Sequence, residues 1–293
     1  STTKTMCVLY SSIMFAGSVV QYVLLRKAQE AGVHNKLNTF MYFAPFLPFM
    51  AVYMVLNKIP FLIDLKLLIV MCASAFLFSY VGIVLSILAI KEAPNVGYSL
   101  IIQKSYAIYT AFAAIFLFGA KLSVIGFLAI LIIILFSGTI IIDRSQRKKT
   151  SSKRWLWYSI LAFFLFGNLI LVSKYLQLQG VSVWTIFFYS ALTNCIFNGI
   201  DVYRNRAAIN FKIKPSLWAT LICMGLSVGI FNLGLQFGLK TAPNIGYVNI
   251  INTSSITAVT LLSAYFFKDK LSIEKVIGVI GVTLGLILLV LAG

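Results

Sequence analysis

Acidic residues are scarce in this chain: its 293 residues hold 7 Asp and Glu against 24 Lys and Arg, with His34 as the only histidine. So few carboxylates and one imidazole leave no material for a paired-carboxylate site or a histidine-based metal or acid–base centre. Cys7, Cys72, Cys195 and Cys223 sit inside apolar runs without metal-type spacing, which excludes a zinc site and a disulfide framework; they read as small buried hydrophobes. Charge of either sign is thin, at 11% against 60% hydrophobic residues, and the mean hydropathy is +0.97. That balance excludes a soluble globular domain and leaves an integral membrane protein. No nucleophile–base pair or metal constellation appears, so neither an enzyme nor a bound metal or cofactor is expected. The formal net charge of +17 does not point to nucleic acid, because the basic residues fall in short connections and not along one face. A bilayer and a small-molecule substrate are the expected partners, with monomer and homodimer both open.

What is abundant is long apolar runs of about 20 residues, the length that crosses roughly 30 Å of hydrocarbon. They are read at Met6–Leu25, Thr39–Leu56, Leu67–Ile90, Asn95–Phe118 and Ser123–Ile142, then at Trp155–Leu176, Val183–Tyr203, Leu217–Leu239, Asn244–Phe267 and Ser272–Leu291. Helices are expected throughout, since lipid obliges each segment to satisfy its own backbone. The first run is long enough to span and has no convincing A-x-A site, so a cleavable signal peptide is not expected. Pro45 and Pro48 are expected to kink the second span.

The chain also repeats itself. Ala93-Pro94-Asn95-Val96-Gly97-Tyr98 returns 149 residues later as Ala242-Pro243-Asn244-Ile245-Gly246-Tyr247, and Lys121-Leu122-Ser123 returns as Lys270-Leu271-Ser272. Lys91 to Ser123 against Lys240 to Ser272 gives 13 identities in 33 positions, which marks a duplication. The expected fold is an all-α membrane protein of ten transmembrane helices in two five-helix repeats: residues 1–142, a basic linker 143–154, and residues 155–293. Five spans per copy make the second copy enter the membrane from the opposite side, so the repeats are inverted. Inverted repeats are a recurring design of secondary transporters.

Alternate connections carry 17 and 6 of the basic residues, with Lys104 inside a span. The positive-inside bias places the richer set, including the 143–154 linker, in the cytoplasm and both termini outside. The membrane itself is a bacterial-type inner or plasma membrane, or an endomembrane.

Ten spans in two copies, each with A-P-N-x-G-Y opening its fourth helix and K-L-S opening its fifth, resemble the drug/metabolite transporter superfamily in its EamA-like branch. The resemblance implies a ten-helix fold with a central cavity lined by the first four helices of each half. It also implies a substrate among amino acids, nucleotide sugars, sugar phosphates, choline or drugs, and termini that are usually cytoplasmic, opposite to the charge count. Phe188-Tyr189 is similar to the start of the F-Y-N-N motif of nucleotide-sugar transporters, but Ser190-Ala191 follows. Lys104 resembles an anion-holding lysine of plastid phosphate translocators, whose basic pair in the ninth helix is replaced here by Asn252-Thr253.

Lys104 is the sharpest candidate. It lies ten residues past Pro94, about 15 Å into its helix and near midplane. An uncompensated lysine there costs on the order of 2.5 to 3.5 kcal/mol on insertion scales, which makes it a candidate ligand-binding group; donation to helix carbonyls or Gln103 is the alternative. The repeat equates it with Thr253, on an arc with Asn249, Thr257 and Thr260. Asn95, Ser99, Gln103, Tyr106 and Thr110 form a second polar face roughly opposite Lys104, so one of the two faces serves helix packing. Each acidic residue falls in a loop or at a helix end, so no midplane carboxylate is available for a proton-coupled cation exporter, whereas a lysine with amides and hydroxyls suits a carboxylate or phosphate. Gln103, Tyr42, Tyr189, Asn249, Asn252, Thr253, Asn168 and Gln21 complete the candidate substrate-binding set around Lys104. Gly17 and Gly167 match in the first and sixth spans and suit close packing; Lys174 is a further basic candidate that can also snorkel. The expected function is a secondary transporter, exchanger or facilitator, for a small anionic or zwitterionic metabolite such as an amino acid, organic acid or phosphorylated or nucleotide sugar. A flippase for lipid-linked sugars and an exporter of amphiphilic or cationic drugs are the alternatives.

Overall fold

A computed structural model describes residues 2–93, 96–142, 153–268 and 271–292. Pro94-Asn95 of the first motif, residues 143–152 of the basic linker and Asp269-Lys270 lie outside the described residues. The described residues form helices α1 (Thr2–Glu30), α2 (Asn35–Met41), α3 (Leu47–Leu56), α4 (Leu65–Ser74), α5 (Val81–Glu92), α6 (Val96–Lys104), α7 (Tyr106–Phe118), α8 (Val124–Ile141), α9 (Arg154–Leu178), α10 (Val183–Arg204), α11 (Pro215–Thr241), α12 (Ile245–Phe267) and α13 (Ile273–Ala292). A π-helical turn, Ala75–Tyr80, joins α4 to α5. Among the described residues nine stretches are long and apolar enough to cross a membrane, which makes this an all-α integral membrane protein.

The expected second span, Thr39–Leu56, is not one continuous helix. It divides into α2 and α3 around a non-helical Tyr42–Phe46, and α3 is too short to cross alone. Pro45 lacks an amide proton and clashes with the preceding turn, so the α-ladder is interrupted there, while Pro48 sits in the first turn of α3, where its missing amide costs nothing. Gly225 on α11 accepts the bend: a Cβ there would meet the Met41 carbonyl and the Pro45 ring.

Helix starts follow local chemistry. Asp64, Ser123, Ser182 and Asn244 accept hydrogen bonds from amides of the first turns of α4, α8, α10 and α12, and His34 does so for α2. The helices then pack in matched pairs: α1 lies along α11, α9 along α5, and α8 against α13. Gly17 permits the first contact, since a Cβ there would sit 2.8 Å from the Phe231 backbone nitrogen. Gly167 on α9 leaves room for the Tyr109 ring, so both glycines serve close packing.

Candidate functional site

Lys104 ends α6, and Ser105 interrupts the fourth span before α7 begins. The Ser105 amide is shared between the Ile101 and Ile102 carbonyls, and the Ile108 amide reaches only three residues back to Ser105, so the turn is tightened where the lysine leaves the helix. Lys104 Nζ lies 5.9 Å from the centroid of the Tyr22 ring, at the limit of cation–π range. Tyr22 also stands close to Tyr42 and Tyr106, and the Tyr106 hydroxyl lies near the Asn252 side chain. One half-buried cluster therefore draws on α1, the α2–α3 bend, the α6–α7 break and α12: Tyr22, Tyr42, Lys104, Tyr106 and Asn252. Among the described residues no carboxylate pairs with Lys104. The arrangement offers one cation, one amide and three aromatic walls with polar tips.

Three candidates from the sequence thus meet: Lys104, Tyr42 and Asn252. The others are placed elsewhere. Gln103 is buried and turns away from the cluster, accepting from Ser86 Oγ at 2.6 Å and donating to Ser99 Oγ at 2.8 Å, while Ser99 bridges to Ser159 on α9. Successive helical residues are about 100° apart, so Gln103 and Lys104 address different neighbours. Asn249 is fully buried and donates to Thr110 Oγ1 at 2.8 Å, and Thr253, also buried, donates to the Asn249 carbonyl. These two belong to the α7–α12 contact, although Asn249 Oδ1 has no partner there. Tyr189 donates to the Phe61 carbonyl at 2.8 Å and fastens the α3–α4 loop. Asn168 accepts from Tyr109 at 2.8 Å across α7 and α9, and the matching first-half contact is Ser18 with Ser255 at 2.9 Å across α1 and α12. Gln21 is buried next to the cluster in sequence, with Oε1 unpartnered.

Tyr22 is not singled out by the sequence, and the polar face that Tyr106 shares there with Ser99, Gln103 and Thr110 is divided by the break at Ser105, so that only the part beyond it reaches α12. The repeat motif has a structural task in its second copy. Asn244 caps α12, accepting from the Gly246 amide, and donates to the Ala111 carbonyl; Tyr247 is buried beneath Ser123, the cap of α8.

Comparison with known proteins agrees with this architecture. Residues 153–291 match the model of the EamA-like transporter family. An uncharacterized transporter of Archaeoglobus fulgidus is 24% identical over 293 aligned positions, covering 99% of this chain and 96% of that protein. A solved crystal structure superposes with a TM-score of 0.77 over 100% of this chain and 99% of its own, at 12% identity, a likeness of fold alone. These likenesses point to a transporter and away from an enzyme. The second half of the chain thus matches an EamA-like transporter domain, and with the transporter relative this supports a membrane transporter, consistent with the drug/metabolite transporter superfamily.

Proposed function

We propose that this protein is a secondary transporter, an exchanger or facilitator, for a small organic solute bearing a carboxylate or phosphate, working by alternating access between two five-helix halves, residues 1–142 and 155–293. The observation that carries this reading is the half-buried Lys104 at the break in the fourth span, without a carboxylate partner among the described residues and facing Tyr22. A half-buried ammonium of this kind gains most from an anion that enters with it. In this reading Lys104 pairs with the anionic group, Asn252 and the Tyr106 hydroxyl orient it, and Tyr22 and Tyr42 cover the rest of the solute. Amino acids, organic acids and phosphorylated or nucleotide sugars all carry the required group. The matched pairing of α1 with α11 and α9 with α5 supports a two-fold relation of the halves. Orientation follows the charge count, with the basic connections in the cytoplasm.

The test is a thermal-stability screen of the purified protein against amino acids, sugar phosphates, nucleotide sugars and quaternary amines, followed by counterflow in liposomes with the ligand that emerges. Anionic or zwitterionic ligands are expected to raise the unfolding midpoint, and Lys104→Gln to remove the effect. Stabilisation by quaternary amines alone would overturn the assignment.

A further inference from the structure

A second group of lysines stands at the other end of the bundle. Helix α7 ends at Phe118, and Gly119, in the left-handed conformation at φ 63°, turns the chain so that Lys121 reaches the rim of a cavity of about 340 Å³. Lys174, one turn before the end of α9, lines the same cavity, which Phe118, Leu178 and Pro243 wall and the first residue of α12, Ile245, borders. The Lys174 ammonium donates to the Leu239 carbonyl at 2.6 Å, so one of its three donors is used. The acidic residues are elsewhere. Among those described, Glu30, Glu92, Asp201 and Glu274 stand at the opposite end of the bundle, and Asp64, on this side, is committed to the amides of Lys66 and Leu67 as the cap of α4. Two lysines thus line a space beside which no carboxylate among the described residues is left unoccupied, and α12 begins at its edge.

We propose that this cavity is an anion-binding vestibule, separate from the Lys104 cluster, that takes a phosphate or phosphate-like group through Lys121 and Lys174. The group comes either from a free solute or from an anionic lipid headgroup at the membrane surface. Lys174 supplies a fixed ammonium held by the α11 carbonyl, and the exposed Lys121 closes over the bound group. The apolar walls limit competition from water and strengthen both contacts.

The experiment uses the full chain carrying Lys104→Gln, so that binding at the central cluster does not contribute and the two assignments fail separately. Inorganic phosphate is titrated onto this protein in neutral detergent, with phosphorus NMR line width and the thermal midpoint as readouts. Saturable binding is expected, weakened about 10-fold by Lys121→Gln, an exposed and structurally benign change, and by Lys174→Gln, which removes the charge. The titration is repeated in nanodiscs of phosphatidylcholine alone and with phosphatidylglycerol. Unchanged phosphate affinity in both discs assigns the vestibule to a free solute, and loss of phosphate binding in the anionic disc alone assigns it to a lipid headgroup. The proposal is overturned if phosphate binding does not saturate, if chloride displaces phosphate at equal concentration, or if the Lys121→Gln/Lys174→Gln double variant binds as the parent does.

Discussion

The two ends of the bundle use lysine in opposite ways. At the basic end Lys36 Nζ lies 2.6 Å from Asp201 Oδ2, which also accepts from the Tyr80 hydroxyl at 3.2 Å, so one carboxylate ties α2, the π-helical turn and α10. At the other end Lys121 and Lys174 face a cavity, and Asp64 is occupied as a helix cap. A lysine whose charge is met inside the protein contributes cohesion and has little left for a visitor. One without a carboxylate contributes less, as Lys174 does through its single bond to the Leu239 carbonyl, and keeps its attraction for whatever enters. Lys104, between the two ends, is of the second kind. Under the proposed cycle the tied end must release when the other end closes.

The largest effect is expected at the centre. Lys104→Gln should lower counterflow by about 10- to 100-fold, the value of one charge-assisted contact, with a near-normal thermal midpoint. Normal transport by a folded variant would remove Lys104 from the unpaired class. Next comes Asp201→Asn, which leaves Lys36 half-buried without its partner. A loss of about 1 to 3 kcal/mol in stability is expected, between the values for exposed and buried pairs, and the exchange Lys36→Asp with Asp201→Lys should recover most of it. If Asp201→Asn unfolds at the parent's midpoint, the tie is a crossing of side chains with no energetic content. Tyr80→Phe removes a single hydroxyl contact to the same carboxylate and should cost about 1 kcal/mol, read in the same unfolding assay. The smallest effect belongs to Lys121→Asp, which would give Lys174 an acidic neighbour and make the open end resemble the tied one. Stability should then rise by no more than about 0.5 kcal/mol while phosphate binding at that end disappears.

Much of the fold was legible in the sequence because a bilayer imposes one simple demand, long apolar runs with internally satisfied backbones, and the eye can count those. The division of the second span was only half legible. Pro45 and Pro48 announce a kink, but hydropathy is blind to whether a kinked run holds together, and here Gly225 lets the bend sink against α11 instead. The candidate site was legible in the same partial way. Lys104 stands out by cost alone. Polar residues of ordinary cost do not reveal which neighbour they meet: Gln103, Asn249 and Thr253 look as much like cavity residues as Asn252 does, yet they hydrogen-bond within the helix packing. Tyr22 carried a signal that was there to be read, a polar-tipped ring in the first span four residues before Arg26, but tyrosine is so common at membrane interfaces that the signal is weak.

The π-helical turn at Ala75–Tyr80 has a consequence for the whole third span. One extra residue in a turn advances the helical phase by about 100°, so side chains before and after it no longer share a stripe. Ser79 and Tyr80 are delivered to Asn194 and Asp201 on α10, while two residues later Gly82 already faces Phe166 on α9, and Ser86 meets Gln103 on α6. A straight rod with an unbroken stripe has one side to offer. By slipping its phase midway, this rod becomes a shared spindle, gripping the second half of the chain on two helices at once, and a rotation of either portion is felt by a different neighbour.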